Sequence, residues 1–144
     1  MNLIEELKKE FYSLIELGYI AINQLDEGSA LKIFKAAEVL DKTNSLIKIG
    51  YGYLHLHKLE LKEAAKIFNE VLKQNPKNEM AKTFLGIVYT MTPKEVDKGE
   101  KLLKETANSS DREVQKLSGI AMDFVEKFVK RPPSPADIKK PKGK

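Results

Sequence analysis

Three glycines, Gly18, Gly52 and Gly86, fall 34 residues apart, each inside a stretch whose apolar residues recur at helical spacing. A fixed period of this size leaves few architectures open. Each period must be one small supersecondary unit that buries its apolar face only against its neighbours. Strand-like alternation is nearly absent, so the unit is a helix pair and the chain is all-α.

Numbering the units from Phe11, Ser45 and Glu79 brings further marks into the same register. The glycines stand eighth, each preceded by an apolar residue: Leu17, Tyr51 and Leu85. A small residue on the second helix follows, Ala30, Ala64 and Gly99, the last displaced by one inserted residue. Four places on come Phe34, Phe68 and Leu103, and three further Ala37, Val71 and Thr106. Two helices cross closely only where a small residue on one admits a large knob from the other, which these positions supply in alternation.

This set of marks resembles the tetratricopeptide repeat (TPR) over residues 11–107, most closely in the second unit with Tyr51-Gly52, Ala64, Phe68 and Pro76. The resemblance implies a right-handed solenoid of three helix–turn–helix units, residues 11–44, 45–78 and 79–108, closed by a capping helix over 111–130. Together these make one domain, 1–130. The expected helices are Leu3–Gln24, Ser29–Leu40, Ser45–His57 with Asn44 as N-cap, and Leu61–Gln74, stopped at Asn75-Pro76. A fifth helix follows Asn78 and ends near Met91. Thr92-Pro93-Lys94-Glu95 and Ser110-Asp111-Arg112-Glu113 both read as capping boxes. Val114, Leu117, Ala121, Phe124, Val125 and Phe128 form the apolar stripe of the last helix.

Composition excludes several function classes. The net charge of +4 sits in Arg131–Lys144, which holds five bases and one acid and leaves twenty of each in the rest of the chain. Phosphate backbones need clustered positive charge on a folded surface, so nucleic acid is not an expected partner. Pro132, Pro133, Pro135 and Pro141 make residues 131–144 a disordered Pro/Lys-rich tail in this reading. No apolar run is long enough to span a bilayer, and the amphipathic start does not read as a signal peptide. The absence of cysteine fits a reducing compartment, so the cytoplasm is the expected location.

No catalytic or cofactor site emerges. His55 and His57, two apart on a helix, do not share a face, and His55 stands at a packing position. Glu5, Glu6, Glu60 and Glu63 are carboxylates on solvated faces, and Gly50-Tyr51-Gly52 lies inside a helix where it cannot cradle a phosphate. The chain reads as a non-enzyme without metal or cofactor.

In the repeat that the chain resembles, positions two, five, nine and twelve of each first helix face the inner groove. Here they are Tyr12, Ile15, Tyr19 and Ile22; Leu46, Ile49, Tyr53 and Leu56; and Met80, Thr83, Ile87 and Thr90, with Met91 adjacent. Since the packing positions named above are a different set, the groove is expected to be open and apolar, and an exposed apolar patch of that size marks a binding surface. Its expected guest is an amphipathic helix or extended segment. Repeats that clamp a free carboxylate carry lysine and asparagine where this chain has Ile15 and Tyr19, which argues against that class of partner.

Three small units and one closing helix also resemble the small chaperones of bacterial type III secretion. Asn108–Leu117 resembles the closing helix of the needle-subunit branch, and the even repeat spacing fits the translocator branch equally; the tail after Arg131 fits neither. The resemblance implies capture of a needle subunit's amphipathic helix, commonly with a small co-chaperone, so that it cannot polymerise early. The alternatives are a chaperone of hydrophobic translocators and a generic cytoplasmic scaffold, including a homodimer joined through the groove.

Overall fold

The computed structural model describes residues 2–130; the tail expected over 131–144 lies outside them. Among the described residues there are seven α-helices and no strand. They are α1 Leu3–Asn23, α2 Glu27–Leu40, α3 Ser45–His57, α4 Leu61–Gln74, α5 Glu79–Thr90, α6 Val96–Thr106 and α7 Arg112–Phe124, the last running into a π-helical turn, Val125–Val129. Connections of three to five residues force successive helices to pack side by side. The closest pairs are α1 with α2, α3 with α4 and α5 with α6. The odd-numbered helices also touch in series, α1 to α3 to α5 to α7, and so form one row of the layered stack.

Side-chain caps start five of the helices. Asn2, Asp26, Asn44, Asn78 and Asp111 each accept a backbone N–H of the first turn. Asp26 starts α2 two residues earlier than its expected Ser29, and the bonds from Ser29 hold the Asp26 carboxyl below its ordinary range. Neither expected capping box forms. Thr92 instead donates its hydroxyl back to the Val88 carbonyl, and α6 begins at Val96 without a side-chain cap. At α7 the cap is Asp111 rather than Ser110, because Asp111 Oδ1 reaches the N–H groups of Glu113 and Val114.

Packing between paired helices follows from size. Ala30, Phe34 and Ala37 of α2, Ala64, Phe68 and Val71 of α4, and Gly99, Leu103 and Thr106 of α6 are all buried. The Phe34 ring lies between Gly18 of α1 and Gly50 of α3, where an added Cβ would stand 2.4 and 2.6 Å from it. One aromatic side chain thus ties three helices together, and only glycine leaves room for it on either side. Phe68 meets Gly52 in the same way.

The turn after each first helix holds a feature with no sequence cue. Leu25, Leu59 and Lys94 adopt left-handed backbone with φ of 62°, 60° and 74°. In the first two turns the next residue's N–H reaches back five residues, Asp26 to Ala21 and Glu60 to His55, which closes the helix C-terminus in a Schellman arrangement. Glycine suits that position; leucine costs about 1–2 kcal/mol there. Both leucines are largely exposed, so little packing offsets the strain. Leu25→Gly and Leu59→Gly should each raise stability by about 0.5 kcal/mol or more, after the added freedom of the unfolded chain is subtracted. Thermal melts of the single and double variants check this; a fall in Tm would show that the leucines hold the turns.

The last helix departs from expectation. Val114 and Val125 are buried with Ser118 between them, Leu117 and Ala121 are half-buried, and Phe124 and Phe128 are exposed. The inward line follows residues 114, 118, 121 and 125, which leaves Phe124 beside it. The π-helical turn is wider than an α-turn and carries Phe128 outward to lie 5.2 Å from the Phe124 ring.

Candidate functional site: the partly exposed row of α1, α3 and α5

The expected groove residues divide cleanly in the structure. Ile15, Ile22, Ile49 and Leu56 are buried in the core, as are Thr83 and Thr90, so the groove reading is corrected at these positions. Tyr19, Leu46, Tyr53, Met80 and Ile87 are half-buried, while Tyr12 is 51% and Met91 38% exposed.

The reason is helical geometry. At 3.6 residues per turn, a seven-residue step turns about 700° and returns almost to the same line, whereas a three-residue step turns about 300° and falls some 60° to one side. Tyr12 and Tyr19, Leu46 and Tyr53, and Met80 and Ile87 are therefore the outward lines of α1, α3 and α5. Ile15 and Ile22, Ile49 and Leu56, and Thr83 and Thr90 sit about 60° round, on lines that neighbouring helices bury; Thr83 faces Ser118 of α7, and Thr90 lies against Gly99 of α6. The trough expected to be open along twelve positions is a shallower row of six, with Met91 beside its end.

The middle of this row is aromatic and cross-braced. The Tyr19 and Tyr53 rings lie 5.0 Å apart, and Tyr53 lies 5.4 Å from Phe84, which stacks on Phe68 at 5.5 Å. Tyr53 donates its hydroxyl to Asn23 Oδ1, fixing α3 to the end of α1. His57, exposed at the end of α3, packs edge-on to Tyr53 at 5.9 Å. Tyr19, Tyr53 and Phe84 thus form a rigid floor, and such rings supply contact area at low entropic cost.

The tyrosines titrate late. Burial, then the charge of Tyr53, pushes the Tyr19 hydroxyl far above its ordinary range, and burial also raises Tyr53 against the opposing bond to Asn23. Tyr51, between α2 and α3, is pushed up to about 12 by burial and by donating to Glu38 Oε1 at 3.0 Å. An acid with a raised folded pKa keeps its proton after the unfolded chain has lost it. Its contribution is complete below about pH 10 and lost as pH rises toward 12. Stability should therefore fall between pH 10 and 12, and less steeply in Tyr51→Phe than in the native protein. Urea titrations at successive pH values measure the difference; parallel curves would contradict it.

His55 is half-buried rather than a core side chain, its Nδ1 3.6 Å from Glu60 Oε2. Lys58 bridges Glu27 and Glu60 at 2.9 Å each, linking the first two turns on the exposed edge. Among the described residues no group of three or more His, Cys, Asp or Glu could hold a metal ion, and no helix is long and apolar enough to cross a membrane. Comparison with known proteins finds no family model, no curated protein and no solved structure that matches the chain.

Proposed function

We propose that this chain is a solenoid of three TPR-type units, with α7 as its closing helix, that acts in the cytoplasm as a protein-binding chaperone. Its guest is an amphipathic helix of a secreted, self-assembling protein, held along the inner row so that it cannot pair with further copies of itself. The observation that carries the reading is the line of Tyr12, Tyr19, Leu46, Tyr53, Met80 and Ile87, partly exposed across three neighbouring helices. Rigid aromatic and aliphatic side chains with exposed edges suit the apolar stripe of a helix, whose anchors recur at i, i+3, i+4 and i+7. The 34-residue register of Gly18, Gly52 and Gly86 supports the TPR reading, and the type III secretion class rests on the resemblance of Asn108–Leu117. Chaperoning of a hydrophobic translocator would use the same surface.

Co-expression with each short, helix-rich protein encoded in neighbouring reading frames tests the function. One of them should co-purify. Tyr12→Glu, at a half-exposed position, should lower its recovery about tenfold with helical content unchanged. Equal recovery with Tyr12→Glu would move the guest away from the row.

A further inference from the structure

The seam that holds α7 differs in kind from the other seams between odd-numbered helices. Between α1 and α3 lie Ile15, Ile22, Ile47 and Leu54, and between α3 and α5 lie Ile49, Leu56, Phe84 and Val88, all buried. The corresponding residue of α5, Thr83, meets α7 through its hydroxyl instead, 3.5 Å from Ser118 Oγ. Thr106 of α6 completes a fully buried triad of hydroxyls, 2.6 Å from the same Ser118. The fully buried apolar residues of α7 and its π-helical turn are Val114 and Val125, with Leu117, Ala121, Met122 and Val129 half-covered.

Two details make this seam inexpensive to open. First, both threonines already have partners on their own helices: Thr83 donates to the Glu79 carbonyl at 2.8 Å, and Thr106 reaches the carbonyls of Leu102 and Leu103 at 3.2 and 3.3 Å. Departure of α7 breaks the contacts to Ser118 but strands neither hydroxyl, and the two threonines can take up water in its place. Separating α3 from α5 would instead bring isoleucine, leucine and phenylalanine into solvent. Second, α7 carries its own N-cap, Asp111, so the helix keeps its start whether docked or free. Beyond the apolar contacts its far end is held by Lys130, whose Nζ lies 2.8 Å from Glu100 Oε1, a partly exposed pair that salt weakens.

We infer that α7 and its π-helical turn form a displaceable end helix, which leaves the α5–α6 pair as one unit while the three helix pairs stay folded. Its departure uncovers Thr83, Thr106 and the adjoining end of α5, lengthening the inner row at the Met80–Ile87 side. The displacement is a property of the seam and does not depend on what the row holds.

Hydrogen–deuterium exchange of the full chain at neutral pH tests it. Amides of 115–129 should exchange together, at least about tenfold faster than those of 49–56 and 83–90, because sub-global opening precedes global unfolding. Raising the salt to about 0.5 M should speed only the first group. The triple replacement Thr83→Val, Thr106→Val and Ser118→Ala should slow that group about tenfold and leave α3 unchanged, since apolar isosteres remove the polar seam. Equal exchange of α7 and α3 in the native protein would overturn the inference. So would faster exchange of α7 in the triple variant, which would show that the hydroxyls bind the helix rather than free it.

Discussion

Phe34→Ala should cost about 3–5 kcal/mol and lower Tm by about 10–20 °C. Phe34 is fully buried, and its ring packs edge-on to Tyr19 at 6.3 Å and to Tyr51 at 5.4 Å. The loss falls at the high end for a physical reason. The residues flanking the ring are Gly18 and Gly50, which have no side chains to relax into the space it leaves. A double-mutant cycle makes the argument sharper. In the native background Gly50→Ala destabilises, because its Cβ meets the ring 2.6 Å away. In the Phe34→Ala background the same substitution should be neutral or stabilising, since the methyl enters the vacated volume and alanine is the better helix former. Urea unfolding followed by circular dichroism gives all four corners; additive effects would contradict the three-helix contact.

Gly99→Ala should cost about 2–3 kcal/mol, although alanine ordinarily gains up to about 1 kcal/mol over glycine inside a helix. An added Cβ would lie 2.6 Å from the Gly86 carbonyl oxygen and 2.7 Å from the Thr90 backbone nitrogen. Both are backbone atoms, so α5 and α6 must move apart as whole helices and loosen Leu103, which is fully buried in the same crossing. At the matching places of the first two pairs, Ala30 and Ala64 are accommodated, which shows how much closer the third pair approaches. Gly119 is the internal control: no neighbour lies within 4 Å of its Cβ position, so Gly119→Ala should stabilise by up to about 1 kcal/mol. Thermal melts of the two variants should shift in opposite directions; a shift in the same direction would remove close approach as the explanation.

The helix crossings are readable from the chain. Gly18, Phe34, Gly52 and Phe68 announced helix crossings because spacing and size alone specify which side chains must interlock. The division of the inner row was also implicit, since a step from Tyr12 to Ile15 cannot stay on the line that joins Tyr12 to Tyr19. The four positions of each first helix are therefore two lines, one partly exposed and one buried by neighbouring helices. The left-handed backbone at Leu25 and Leu59 was invisible, because the signal for such a turn is glycine and here the turn is imposed on leucine by the helices that it joins. Thr92-Pro93-Lys94-Glu95 misled for a related reason: a capping box requires Thr92 to begin a helix, whereas its hydroxyl is used by the helix before it. Ser118, the fully buried residue of α7 at the hydroxyl triad, could not outrank Phe124 and Phe128 on hydrophobicity, yet position on the helix decided their burial.

The role assigned to the inner row rests on contact with a guest, and site-specific photocrosslinking in cells reads that contact. A photoreactive amino acid placed singly at Tyr12, Met80 or Ile87 should yield one shared crosslinked protein. The same group at Val39 of α2, which is 85% exposed and off the odd-numbered row, should not. Crosslinks from Val39 alone, or unrelated products from the three row positions, would contradict the proposed binding surface.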